Sequence, residues 1–470
     1  MSFFKRISSN IFIRSRYKCI NRINNYNNNS MWMSCKYCSS NAINSGTIKV
    51  DFNDTKTIFE GTSTMELINT LLLFQMCSSP NLVSIMIKLT NKALENTQKK
   101  GTFTDKILNV ISSPIVYIVK KQYFPLFTGG ETINDCIRLT NKYLDKNLRL
   151  IIDNSTEEAL NIDMINNNVR LKEELINISY KNLRSGVKFL AIKMTAFIYG
   201  NILEKMTIHI NKNGGIIPDD VTTILSEQDK HDLDDGLNKL SGIIELAISK
   251  GFGIWLDAEQ FDRQPAMNYI SRVLQQRFNT DDTIWIYNTY QMYLKNSPEW
   301  LENDLEYARQ NGFKYGVKLV RGAYDQSERA KAAKEGYPDP IQDTKELTDK
   351  SYNNNVNKMI KLISESNNNG VAICTHNRES LINAANIMNK YNINNKNDRI
   401  YTAQLRGMCD NLSFVLGING YNSLKLLPYG SFDDVWPFLS RRLLENMSIL
   451  GGMSNEKKYY YKEINRRLFG

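Results

Sequence analysis

From residue 148 onward the chain alternates two hydrophobic patterns. Short apolar runs fall at 148–153, 188–194, 253–257, 283–288, 317–320, 371–374, 400–403 and 423–427, each too short for a buried helix and read as strands. Between them lie segments with apolar residues at helical spacing, among them 237–249, 265–278, 300–310, 348–364, 380–391 and 433–447. Strands that alternate with helices become parallel neighbours. Eight in succession, with no Gly-x-Gly-x-x-Gly after the first, predict a closed (β/α)8 barrel rather than a doubly wound sheet. Residues 51–127 are helical in pattern, broken by Pro114 and Pro125, so an N-terminal helical region (51–147) precedes the barrel (148–470). The polar stretch 207–235, with Gly214-Gly215, Pro218 and a run of acids, reads as a surface excursion, and 433–447 reads as the last helix.

In such barrels the ligand site lies at the carboxyl ends of the strands. The residues that follow the runs are polar in a way that invites chemistry: Lys193 and Thr195; Asp257, Glu259 and Gln260; Asn288, Tyr290 and Gln291; Arg321 and Tyr324; Thr375, His376 and Asn377; Gln404; and Pro428-Tyr429-Gly430. Singly, these would be ordinary caps and loops. In the run ending at Gly322, Lys318 and Val320 face one way while Val317, Leu319 and Arg321 face the other, and the glycine allows close backbone approach. That stretch is expected to bring Lys318, Arg321 and Tyr324 to one neighbourhood. In the last helix Arg441 and Arg442 sit in an apolar stretch, with Glu445 one turn on. A solvated helical ion pair would be worth only a few tenths of a kcal/mol; the functional alternative is a guanidinium fork for a carboxylate.

Composition changes this picture mainly at the N-terminus. The formal charge of +10 suggests a polyanionic partner, but residues 1–50 carry eight Lys/Arg and no acid, leaving 51 basic against 49 acidic residues in the rest. A nucleic-acid-binding body is thereby disfavoured. The leader's cations, serines and interspersed Phe and Ile read as a mitochondrial transit peptide, and no uncharged apolar stretch is long enough to span a bilayer. Seven scattered cysteines make no disulfide framework, and the Cys35-x-x-Cys38 pair lacks the further ligands of a zinc site.

Taken in order, Phe189-Leu-Ala-Ile-Lys-Met-Thr195, Leu256-Asp-Ala-Glu-Gln260, Asn288-Thr-Tyr-Gln-Met-Tyr-Leu-Lys295, Lys318-Leu-Val-Arg-Gly-Ala-Tyr324, Thr375-His-Asn377, Gln404-Leu-Arg-Gly-Met-Cys-Asp410, Pro428-Tyr-Gly430 and Arg441-Arg-Leu-Leu-Glu-Asn446 resemble the proline dehydrogenases, over essentially residues 50–470. The likeness is greatest to the single-function mitochondrial branch. It implies a distorted (β/α)8 barrel that uses FAD to oxidise L-proline to Δ1-pyrroline-5-carboxylate, with electrons passing to ubiquinone and peripheral contact with the inner mitochondrial membrane on its matrix side. Carried over, the substrate carboxylate meets Lys193, Arg441 and Arg442, while Tyr324 and Leu405 border the ring. The flavin contacts Asp257 or Ala258, Gln291, Lys318, Val320, Gly322, Thr375, His376, Asn377 and Glu445. No general base is assigned. The chain departs from the family pattern at Leu426, where proline-specific members carry Tyr and hydroxyproline-specific relatives carry Ser, which leaves hydroxyproline dehydrogenase as the alternative.

Readings from other classes remain at this stage. Asp257, Glu259 and His376 could bind a divalent metal, Lys193 could form a Schiff base, or the barrel could be an inert scaffold. With only His209, His231 and His376 in the chain, a His-rich metal site is excluded. Bound yellow chromophore would separate the flavin reading from all of these.

Overall fold

The computed structural model describes residues 51–77, 79–98, 114–154, 156–183, 185–212, 221–445 and 447–470, and for 73, 76, 77, 80, 82, 95–98, 441–445 and 447–455 the backbone alone. The leader, with Cys19, Cys35 and Cys38, lies outside the described residues. Eight parallel strands close a barrel in chain order: β1 (Leu148–Asp153), β2 (Val187–Ile192), β3 (Gly253–Leu256), β4 (Ile286–Gln291), β5 (Tyr315–Val320), β6 (Asn369–Cys374), β7 (Ile400–Leu405) and β8 (Ser423–Pro428). Closure is made by β8 on β1, from Leu148 opposite Ser423 to Asp153 opposite Pro428.

Among the described residues before β1 are α1 (Thr55–Ile58), α2 (Thr64–Cys77), α3 (Pro80–Gln98), a helical stretch from 114 that passes through a π-helical turn (Val119–Tyr123) into α4 (Phe124–Phe127), and α5 (Ile133–Leu144). The barrel helices follow as α6 (Ile162–Leu183), α7 (Gly200–Lys212), α8 (Glu227–Ser249), α9 (Gln264–Phe278), α10 (Ser297–Asn311), α11 (Asp325–Glu335), α12 (Lys345–Glu365), α13 (Arg378–Lys390), α14 (Asp410–Ile418) and α15 (Phe432–Glu445). A final helix, α16 (Met447–Phe469), continues from α15. Local sequence sets several starts. Thr132 with Asp135, and Ser226 with Asp229, form reciprocal caps that satisfy the orphan N–H groups at the starts of α5 and α8. Among the described residues no helix is long and apolar enough to cross a membrane.

Alternation divides the apolar residues between two cores. Outward-facing strand residues such as Tyr315, Val317 and Leu319 join the helices in the large outer core. Inward-facing Ile151, Phe189, Trp255, Tyr287, Tyr401 and Leu424 fill the lumen. Phe189 is its hub, with ring centroids 5.0 Å from Trp255, 5.4 Å from Tyr287 and 5.0 Å from Tyr401. Glycines make room for these rings: a Cβ on Gly253 would lie 2.4 Å from Phe189, and one on Gly370 would lie 2.8 Å from the Tyr287 hydroxyl. The plug closes the lower lumen and confines any ligand to its upper end.

Three sequence expectations are corrected. The fourth strand lies three residues later than its apolar run, because Asn288, Thr289, Tyr290 and Gln291 are all buried in it with polar partners. The stretch 207–235 is not a surface excursion over its described residues: α7 runs to Lys212 with Thr207 and Ile210 buried, Val221 and Leu225 are buried, and α8 begins at Glu227, while 213–220, with Gly214-Gly215 and Pro218, lie outside the described residues. The helix ending near residue 447 is not the last, because α16 packs through Tyr460 on Phe59, at the end of α1, at 4.7 Å and on Phe74 of α2 at 5.3 Å.

Candidate active site

Strand alternation places Lys318 of β5 one layer above the aromatic plug, pointing into the lumen. Its ammonium is 2.6 Å from an Asp257 carboxylate oxygen and 5.4 Å from the centre of the Trp255 ring, with 12% of the side chain exposed. Burial works against its charge, but Asp257, helped by Cys374 and Asp153, outweighs burial and holds the pKa above the usual lysine value. Lys318 is therefore a fixed cation at neutral pH. Asp257 directly follows β3, with the half-buried Ala258 next to it.

On the other side of the mouth, Leu405 of β7 and Leu426 of β8 are register partners, and Leu426 also pairs with Ile151 of β1. Leu426 and Cys374 are half-buried and pack on the lumen plug from above. Lys193, just past β2, lies 3.8 Å from Glu157 and 5.7 Å from the Phe438 ring centre. Phe438 is one turn before Arg441 and Arg442 on α15, so Lys193 meets the helix that carries them. The side chains of Arg441, Arg442 and Glu445 lie outside the described residues.

The β6 end is held by hydrogen bonds that fix ring and amide orientation. His376 Nε2 accepts from the Leu405 N–H at 3.0 Å, so the neutral ring carries its proton on Nδ1. Burial, reinforced by Lys425 and Arg321, pushes its pKa down to about 3, which keeps it neutral. Thr375 Oγ1 accepts from the Asn377 N–H at 3.0 Å, and the Asn377 side chain caps α13 by accepting from the Ser380 N–H at 3.0 Å. The N-terminus of α13 is thus at the mouth, where a helix end favours anionic groups.

Between β3 and β5, the buried Gln291 amide donates to the Glu259 carbonyl at 2.8 Å and accepts from the Ala323 N–H at 3.3 Å. Val320 ends β5 and its carbonyl accepts from the Met292 N–H at 2.9 Å. Gly322 has φ of +152°, and a Cβ there would fall 2.4 Å from the Tyr293 ring, so this turn requires glycine. Tyr324 is half-buried just before α11.

Arg321 does not share the Lys318 neighbourhood as expected. As the outward-facing residue it donates to Asp349 (2.6 Å), Thr375 Oγ1 (2.7 Å) and Ser380 Oγ (2.9 Å), and stacks on Tyr352, bracing β5 and β6 against α12 and α13. Glu259 is also turned aside: it is buried, accepts from the Thr195 hydroxyl at 2.8 Å, and has its pKa raised by burial.

Sequence reasoning passed over Asp153. It ends β1 as Asp257 follows β3, and it is held from behind by Lys172 at 3.3 Å, a lysine with no exposed side-chain surface. The signal was present, an acid closing the run Leu-Arg-Leu-Ile-Ile-Asp, but its partner lies 19 residues away on α6. Among the described residues no group of three or more His, Cys, Asp or Glu side chains is arranged to hold a metal ion.

The mouth therefore offers separated cations, an apolar wall, a neutral imidazole and a helix N-terminus, groups that can hold anionic ligands against an apolar surface. A family model described as proline dehydrogenase matches residues 22–455. A hydroxyproline dehydrogenase of Xenopus laevis is 30% identical over 429 residues, covering 88% of this chain and 89% of the relative. The mitochondrial proline dehydrogenase 1 of Dictyostelium discoideum is 29% identical, with 88% and 75% covered, and that of Homo sapiens is 38% identical over 232 residues, with 49% and 38% covered. Among solved structures, proline utilization A from Bdellovibrio bacteriovorus aligns with a TM-score of 0.65 at 17% identity, over 86% of this chain and 42% of that one, a likeness of fold.

Proposed function

The chain belongs to the proline dehydrogenase family, and from that premise we propose that it binds FAD and oxidises L-proline to Δ1-pyrroline-5-carboxylate, with ubiquinone as electron acceptor. The observation that carries this reading is the convergence of Lys193, Asp257, Lys318, His376, Leu405 and Leu426 from the ends of six strands on one lumen mouth. The donor set fits a flavin nucleotide: a buried cation in Lys318, a glycine-dependent turn at Gly322, and the α13 N-terminus with Thr375, His376 and Asn377 for the phosphates. FAD would supply the acceptor for the two electrons that leave the ring carbon next to nitrogen as hydride.

The protein's part is to bind, orient and exclude water. Lys193, Arg441 and Arg442 clamp the carboxylate, with the guanidinium pair making charge-assisted bonds. Leu405, Leu426 and Tyr324 wall the ring and dry the site. Asp257 aims Lys318 at the cofactor side, where a positive charge favours the reduced, anionic form. Cations around the carboxylate also lower the pKa of the substrate amine, which must give up a proton for the imine to form. His376 stays neutral and serves as a fixed hydrogen-bonding group.

The Xenopus relative's name keeps a second reading, trans-4-hydroxy-L-proline as substrate, and Leu426 is neither the Tyr of proline-specific members nor the Ser of hydroxyproline-specific ones. Leu426 offers a 4-hydroxyl no partner, and burying an unpaired hydroxyl costs about 1 to 3 kcal/mol. L-Proline is therefore the better substrate by roughly 10- to 100-fold in kcat/KM, and Leu426→Tyr sharpens the preference. Purified protein should be yellow, bleach with proline, and show this order when both substrates are measured. Colourless protein that gains no activity with added FAD sinks the flavin reading, and reversed efficiencies make hydroxyproline the substrate. For location, the leader and the relatives named mitochondrial support a mitochondrial enzyme, and ubiquinone as acceptor would set it at the matrix face of the inner membrane. Nothing in the near-neutral body argues for a nucleic-acid partner.

A further inference from the structure

The last helix reaches the site from behind at two points. Glu456 and Tyr459 are one turn apart on α16, both buried, and so face the barrel together. A Glu456 carboxylate oxygen accepts from the Cys409 N–H at 2.6 Å, at the turn between β7 and α14. The Tyr459 hydroxyl accepts from Arg378 Nη1 at 2.7 Å, and Arg378 opens α13 directly after Asn377. These two turns carry Leu405 on one side and His376 and Asn377 on the other.

The turns are also tied to each other. The Cys409 thiol donates to the His376 carbonyl at 3.4 Å, and the Leu405 N–H donates to the His376 ring. Lys425, fully buried on β8, holds the Leu405 and Met408 carbonyls at 3.2 and 2.8 Å and is 2.6 Å from Asp410. Cys409 has φ of 52° and ψ of 41°, a left-handed conformation that a non-glycine residue keeps only when its surroundings enforce it. Its N–H points at Glu456, so the helix supplies that enforcement.

We infer that Glu456 and Tyr459 are positioning residues for the active site, fixing the two turns that present His376, Asn377 and Leu405. This rests on the reading of those residues as cofactor- and substrate-facing. Neither residue touches the mouth itself. Each acts through one backbone or side-chain donor, Cys409 N–H or Arg378.

The test uses the whole chain and three variants. Tyr459→Phe removes one hydroxyl, Glu456→Ala removes the acceptor, and Glu456→Gln restores an acceptor without the charge. Tyr459→Phe and Glu456→Ala should release FAD faster and raise KM for proline, each by about three- to tenfold, the worth of one hydrogen bond. The rate per bound flavin should change less, and Glu456→Gln should recover most of the loss. Amide hydrogen exchange at 376–378 and 405–409 should quicken in the same order. Variants with a lower Tm but with flavin release, KM and exchange within about twofold of wild type at 25 °C, under 0.5 kcal/mol, would overturn the inference and leave α16 a buttress. If wild-type protein neither holds FAD nor oxidises proline, the functional reading falls, and the exchange data alone decide the positioning role.

Discussion

Lys318 and the Arg441-Arg442 pair are all cations assigned to the proposed site, yet their expected roles differ, and substitution can tell them apart. Lys318 sits low in the lumen against Asp257 and Trp255, on the side assigned to the flavin. Lys318→Met should lower the rate of flavin reduction by about 10²-fold with a smaller change in KM, because the charge acts on electron transfer rather than on binding. Arg441→Ala and Arg442→Ala should lower kcat/KM by roughly 10²-fold or more, chiefly through KM, the loss of a charge-assisted carboxylate contact being worth about 3 kcal/mol. Anaerobic stopped-flow reduction with varied proline separates the two. If Lys318→Met raised KM and left reduction intact, Lys318 would belong to the carboxylate clamp. At this scale the sequence revealed residue types and order but not direction. Alternation already set Lys318 and Arg321 on opposite faces of one strand, and only the closed barrel shows which face is the lumen and which braces the outer helices.

At the scale of elements, strands were legible where runs were apolar and illegible where polar residues were buried. Strand β4 hides its last three residues because its polar side chains are bonded inside: Tyr290 bonds Asp304 and Tyr315 at 2.5 and 2.8 Å, Thr289 bonds the Leu256 carbonyl and Gln291 the Glu259 carbonyl, partners known only after folding. Helix α16 escaped for the same reason: its buried face is Glu456, Tyr459, Tyr460, Glu463 and Ile464, which hydrophobic scanning does not register. Those two glutamates give α16 opposite pH dependences. Burial pushes the Glu463 carboxyl up, but Arg466 and Arg467 outweigh it and bring the pKa down to about 2, so its stability is present above about 4.5 and lost on acidification. Burial and Asp410 raise Glu456 to about 7, so its contribution is present below about 4.5 and lost as pH rises through about 7. That loss is at most about 3 kcal/mol for a shift of this size. Urea melts of wild type and Glu456→Gln should therefore differ in slope between about pH 5 and pH 8, the variant lacking the fall that Glu456 gives, while the buried neutral His376 adds an opposite rise up to about pH 6.5 in both proteins. Asp304, raised to about 6 by burial against the pull of Arg272, leaves a residual slope at the lower end. An unchanged slope in Glu456→Gln would mean that Glu456 titrates near its ordinary value.

For the whole molecule, the question is where the folded body begins. The barrel could be inferred from eight runs, whereas the helices before it are joined to it by contacts spanning hundreds of residues. Arg406, after β7, donates to the Thr128 carbonyl at 2.8 Å and to the Tyr143 hydroxyl at 2.5 Å. Lys462 of α16 donates to the Asn53 carbonyl at 2.9 Å, Arg467 to the Phe59 and Thr62 carbonyls, and Phe52, Phe59, Leu67 and Phe74 are buried. The first of these contacts falls at the point where the composition changes from an acid-free leader to a balanced body. Residues 1–50 should accordingly carry a fused reporter to mitochondria and be cleaved from it, and protein starting at Asp51 should keep its Tm and its flavin. Protein starting at Ser79 should not, since removing even one large buried aromatic costs about 3 to 5 kcal/mol, and Phe52, Phe59 and Phe74 would go together. A reporter that stays cytosolic and uncleaved would remove the targeting role from the leader. Equal melting of the 51–470 and 79–470 proteins would show that α16 holds its place without α1 and α2.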